Sequence, residues 1–65
     1  MKIFKCKLDS IQESAAGYRL RVLMCQDHVE AVAVKDEYVI TSAVKMIDFE
    51  RGIAITRNNI YKWKD

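Results

Sequence analysis

Glu50-Arg51-Gly52, standing between two short apolar runs, constrains the fold more than any other stretch of this chain. A type I turn through Glu50 and Arg51 closes a hairpin if the next residue is left-handed, and glycine adopts that conformation without steric cost. This predicts antiparallel strands across residues 44–56, with Phe49 opposite Ile53 and Ile47 opposite Ile55. Side chains alternate along a strand, so Ile47, Phe49, Ile53 and Ile55 would make one apolar face. Met46, Asp48, Ala54 and Thr56 would make the other, with Lys45 facing Arg57 at the open end. A helix starting at Val44 is the competing expectation, but no helical period continues past Gly52.

The rest of the chain reads in the same period. Phe4, Cys6 and Leu8 alternate with Lys5 and Lys7, which predicts a first strand over residues 2–8. Ser10-Ile11-Gln12-Glu13 matches a capping box and predicts a short helix near residues 11–16, stopped at Gly17. An irregular loop is the alternative there, because so short a helix forms only by packing. Residues 18–25 alternate again, with Tyr18, Leu20, Val22 and Met24 on one side and Arg19, Arg21, Leu23 and Cys25 on the other. Gln26-Asp27-His28 is a turn candidate. Residues 29–34 read as a strand or a short helix, and their β-branched content favours the strand. A charged turn at Lys35-Asp36-Glu37 leads to a strand over residues 38–42 with Tyr38 and Ile40 on one side, then a bend at Ser42-Ala43. Asn58-Asn59 either turns the chain through left-handed dihedrals into a last strand or caps a short terminal helix.

Brief turns and five to six short strands in 65 residues predict a mainly β single domain spanning residues 1–65. The expected form is a small curved antiparallel sheet or an SH3-like or OB-like barrel carrying the short helix, with α+β as the alternative. Hydrophobic residues make up 51% of the chain and proline is absent, which excludes a disordered tail. That much apolar surface on so small a body must stay partly exposed, so a homodimer or a partner interface is expected. The N-terminal residues alternate charge with apolar side chains and do not resemble a signal peptide. No apolar run approaches the ~20 residues of a membrane span. The expectation is a cytoplasmic protein, away from membranes, with Cys6 and Cys25 reduced.

The net charge of +2 is too small to imply nucleic acid by itself, but it is unevenly placed. Lys2, Lys5, Lys7, Arg19 and Arg21 make the first third basic. Asp27, Glu30, Asp36, Glu37, Asp48 and Glu50 make the middle acidic, and Arg51, Arg57, Lys62 and Lys64 make the end basic. Cys25, Asp27 and His28, with Cys6 across a sheet, have spacing that suits a metal or a nucleophile with its base. The second ligand pair and the orienting group are missing, so neither metal, cofactor nor enzyme is expected. Basic residues interleaved with aromatics are the stronger candidate: Arg19, Arg21, Arg57, Tyr61, Lys62, Trp63 and Lys64. Cations that track phosphates beside rings that stack on bases suit single-stranded RNA or DNA. Tyr61 and Trp63 as core residues are the competing reading. Tyr, Trp and Arg are equally the residues of protein hot spots, and the acidic middle could steer a basic partner. The expectation is therefore a small non-enzymatic binding or regulatory module with a protein partner, and nucleic acid as the alternative.

Overall fold

Six strands account for most of the computed structural model, which describes residues 1–26 and 35–64. They are β1 (Ile3–Ser14), β2 (Gly17–Met24), β3 (Tyr38–Ile40), β4 (Val44–Asp48), β5 (Ile53–Thr56) and β6 (Ile60–Lys62). One sheet contains them all, in the order β3-β2-β1-β6-β5-β4. The chain is mainly β, as its alternation indicated. The sheet is mixed, not antiparallel throughout: β6 lies parallel to β1, with Ile3 opposite Ile60 and Phe4 opposite Tyr61. β4, β5 and β6 form a meander, and its last strand docks on the edge of β1 that β2 leaves open.

The topology forces curvature. β3 and β4 are consecutive in sequence yet stand at opposite edges of the sheet. Flat, those edges would be about 24 Å apart, whereas the link through residues 41–43 reaches at most roughly 14 Å. The sheet therefore curls, and its concave side holds the core. Phe4 and Cys6 from β1, Leu20, Val22 and Met24 from β2, Ala54 from β5 and Tyr61 from β6 are buried there. Leu8, Val39, Val44, Ile47 and Trp63 pack around them. The Phe4 and Tyr61 rings meet at 6.0 Å between centroids.

The curl stops short of a barrel. β3 covers only Arg21 to Leu23 of β2. At Thr41 the chain bends away: Thr41 N–H donates to Leu20 O, and Leu20 N–H donates to Thr41 Oγ1. Among the described residues no strand pairs with the start of β2 or with the outer edge of β4. Of the expected forms, the closed barrel is not found: the sheet is curved but open, with a seam between those two edges.

Three further expectations are corrected. No helix forms over residues 11–16. β1 runs on to Ser14, a tight turn at Ala15-Ala16 follows, and Gly17 takes φ +114°. Pairing with β2 from Ser10↔Arg21 to Ser14↔Gly17 gives the segment a continuous ladder along one edge, which a single helical turn lacks. A bulge at Asp9 changes the phase, so Ile11, not Ser10, lies opposite Leu20.

The β4–β5 loop is longer than expected. Gly52 does adopt φ +66°, but Phe49 leaves the strand to meet Trp63 at 6.5 Å between ring centroids. Asp48 therefore faces Ile53, and Ile47 faces Ala54. This one-residue slip inverts β5: Ala54 and Thr56 go inside, and Ile53 and Ile55 go outside. Lys45 sits in a bulge, and Arg57 N–H donates to Ala43 O.

Of the two readings of the last residues the strand holds, with β6 at residues 60–62, and the terminal helix does not form. The preceding turn uses no positive φ at Asn58 or Asn59. It is held by Thr56 Oγ1, which donates to Asn59 O and accepts from Asn59 N–H and Ser42 Oγ. Left-handed backbone is found instead at Asp36, φ 69°, in the expected charged turn. The strand or helix expected over residues 29–34, and most of the turn before it, lie outside the described residues.

Candidate functional site

Beyond the Asp9 bulge the β1–β2 hairpin projects past the core. Ile11 and Tyr18 stay on the concave side, in phase with Leu20, but little covers them. Facing them across the open seam are Val44, Lys45, Met46 and Ile47 of β4, with Phe49 from the loop above. These residues enclose a groove of about 360 Å³ with Leu20 at its base. Tyr18 and Phe49 are each 54% exposed, Met46 47% and Ile11 42%, a concentration of large apolar side chains on both walls of one depression. Tyr18 Oη donates to Glu13 at 3.5 Å, so the ring has a polar tip at the rim and an apolar body in the groove.

The basic and aromatic residues singled out in the sequence do not assemble into one surface. Tyr61 is 2% exposed and belongs to the core. Trp63 is half-buried, packed on the core and on Phe49. Arg21 pairs with Asp9, and its guanidinium carbon stands 3.8 Å over the Tyr38 ring. Arg19 and Arg57 line a separate depression with Thr41, Ser42 and Asn58. Lys62, Trp63 and Lys64 do come together, joined by Lys5 and Lys7 from β1. Lys64 is committed to the β4–β5 loop: its Nζ donates to Phe49 O at 3.2 Å and reaches Glu50 O. Trp63 N–H and Lys64 N–H both donate to Gly52 O.

Cys6 and Cys25 border that same lysine-lined depression as free thiols. Burial pushes the Cys6 thiol up to about 12, and the neighbouring Cys25 adds to the shift. A thiol so held is a poor nucleophile at neutral pH. Cys6 Sγ lies 3.8 Å from Lys62 O as a weak donor. His28, Asp27 and Glu30 fall outside the described residues, and with them the Cys25-to-His28 constellation and part of the acidic middle.

Sequence reasoning missed the groove residues Ile11, Tyr18, Met46 and Phe49 as a group. Tyr18 could be placed on the inward face of its strand by alternation. Ile11 was hidden by the bulge, and Phe49 by the loop length. No helix among the described residues is long and apolar enough to cross a membrane. Compared with known proteins, the chain matches no family model, no curated protein and no solved structure.

Proposed function

We propose that this chain is a small binding module, not an enzyme, and that it works by seating a segment of a protein partner in the groove between the β1–β2 hairpin tip and β4. The observation that carries this reading is the exposure of Ile11, Tyr18, Met46 and Phe49 on facing walls of one depression that continues the core. Large exposed apolar patches on small monomers mark interaction sites. Among the described residues two strand edges bordering the groove have no strand partner, so an extended segment can add main-chain hydrogen bonds while its alternate side chains enter the cavity. The raised Cys6 thiol weighs against nucleophilic chemistry at the other depression. The proposal includes a reducing cytoplasmic setting, in keeping with two free thiols.

A second reading rests on Lys5, Lys7, Lys62 and Lys64 around Trp63. These lysines could follow the backbone of a single-stranded nucleic acid while the exposed part of the indole offers a stacking surface. It is the weaker reading, because Tyr61 is inside and Arg19, Arg21 and Arg57 lie elsewhere.

The test is selection of binding peptides from a random displayed library against the intact chain, followed by titration of the winners. The expected winners alternate apolar residues and lose at least about tenfold in affinity, or ~1.4 kcal/mol, against Tyr18→Lys and against Ile11→Lys. Both positions are exposed, so the variants fold. Peptides that bind both variants as tightly as the parent overturn the groove assignment. A parallel titration with single-stranded RNA and DNA at two salt concentrations addresses the second reading. Saturable binding that weakens steeply with salt, together with no selected peptide, moves nucleic acid into first place.

A further inference from the structure

The fold sorts the arginines of the chain into two pairs. Arg21 meets Asp9 and Arg51 meets Asp48. No carboxylate or carbonyl among the described residues accepts from the side chain of Arg19 or of Arg57. These two nevertheless line one depression of about 470 Å³, whose lining holds no acidic residue and no aromatic ring. It shares no residue with the apolar groove or with the lysine-lined depression. Backbone pairing fixes the two arginines relative to each other. Arg19 precedes Leu20, whose C=O accepts from Thr41 N–H at 2.8 Å and whose N–H donates to Thr41 Oγ1 at 3.1 Å. Arg57 N–H donates to Ala43 O at 3.0 Å. Only residues 41–43 separate these anchors, a span of at most about 7 Å. Ser42, in the middle of that span, is tied down in turn: its Oγ donates to Thr56 Oγ1 at 3.0 Å and accepts from Asn58 N–H at 3.2 Å.

We infer that this depression binds the phosphate group of a small phosphomonoester. Two like charges brought together without a counter-ion repel, and an anion between them removes that cost. Each guanidinium presents a planar fork of N–H donors. A carboxylate has two oxygens in one plane and is satisfied by one fork, whereas the tetrahedral oxygens of a phosphate accept from two forks at once. A phosphomonoester carries about two negative charges at neutral pH, which matches the two arginines, and the lone charge of a phosphodiester does not. Ser42 and Ala43 line the same depression, and their backbone N–H groups have no acceptor among the described residues, so main-chain donors stand beside the guanidinium groups. The hydroxyls of Thr41 and Ser42 are spent within the protein, on Ser42 O and Thr56 Oγ1. A nucleic-acid strand fits less well, because the lining offers no ring on which a base could stack. The volume is that of a small-molecule site.

NMR titration of the intact chain with glycerol phosphate, at constant ionic strength, tests the assignment. The expected result is saturable binding with Kd on the order of 1 mM, read in the amides of Ser42 and Ala43 and in the Nε–H groups of Arg19 and Arg57. Both arginines are exposed, so Arg19→Gln and Arg57→Gln fold, and each weakens binding by about tenfold. Arg51→Gln, at the far end of β4, removes the same charge and leaves the affinity unchanged. Dimethyl phosphate, a diester, binds at least about tenfold more weakly than glycerol phosphate. A peptide carrying phosphoserine binds no tighter than glycerol phosphate. Four results overturn the inference. The first is a shift that stays linear through ~50 mM, about fifty times the expected Kd. The second is an affinity that neither Arg19→Gln nor Arg57→Gln lowers, and the third a diester that binds as well as the monoester. The fourth is a phosphoserine peptide more than about tenfold tighter than glycerol phosphate, which assigns the depression to a phosphorylated protein instead.

Discussion

Gly52 and Gly17 both take positive φ, but their surroundings differ, and so do the expected costs of losing them. A Cβ at Gly52 would fall on the Lys64 side chain, with Lys64 Cβ and Cγ the nearest atoms. Backbone strain adds to that overlap, so Gly52→Ala is expected to cost about 2–3 kcal/mol in urea unfolding. At Gly17 nothing lies within 4 Å, so only strain remains, and Gly17→Ala is expected to cost about 1 kcal/mol. Equal costs at the two sites would mean that the Lys64 contact carries no weight. Cys6 gives a pH signature. Its folded thiol titrates at about 12 against an ordinary value of 9.0. Above pH 9 the unfolded chain releases the proton while the folded chain keeps it, so stability falls as pH rises, by at most ~1.4 kcal/mol per unit. Below pH 9 the contribution is fully present. Urea midpoints at pH 8 and pH 10.5 should therefore fall more steeply for the parent than for Cys6→Ala. At this scale the sequence was informative. Phe4, Cys6, Leu20, Val22 and Met24 are read inward by alternation alone, and Gly52 by its place between apolar runs. Tyr61 was not separable from a stacking ring, because its burial depends on Phe4 more than fifty residues away.

Strands show where period-two reading breaks down. A single bulge at Asp9 turns the inward series Phe4, Cys6, Leu8 into one that resumes at Ile11, a three-residue step that resembles a helix turn. The capping-box motif at Ser10 and Glu13 reinforced that misreading. In the β4–β5 hairpin one extra loop residue, Phe49, exchanged the two faces of β5. Local sequence does not decide either case; the partner strand does. Hydrogen exchange should report the same hierarchy. Residues 4–6 of β1, where pairing passes from β6 to β2, lie over the buried core, and their amides should exchange most slowly, except that of Lys5, which donates to the exposed Gln26 side chain. Residues 11–18 at the hairpin tip and β4 at the sheet edge should exchange fastest among the strands. Uniform protection along β1 would contradict a tip that stands clear of the core.

For the molecule as a whole, the link through residues 41–43 sets the curvature, and the curvature makes two unlike surfaces. The concave side ends in the apolar groove, the outer side carries Ile55, Ile60 and Ile3 beside the row from Asp48 to Lys5, and Met46 stands at the β4 edge that the two share. Because the surfaces face opposite ways, their variants should not cross over. Ile60→Lys, on the outer side, should bind a selected peptide as the parent does. Neither surface was legible beforehand, since each depends on which strands become neighbours, and the parallel pairing of β6 with β1 has no local signature. That pairing also dictates a schedule. Among the described strands β1 comes before all the others, yet its second neighbour comes after them. Until residues 60–63 have been translated, Phe4 has no Tyr61 beside it and Gly52 has no Trp63 beneath it. Contacts between such distant parts of a chain are slow to form. During synthesis the nascent chain must therefore carry the bare edge of β1 until β6 is made, and that interval is when a chaperone or a neighbouring nascent copy could take β6's place.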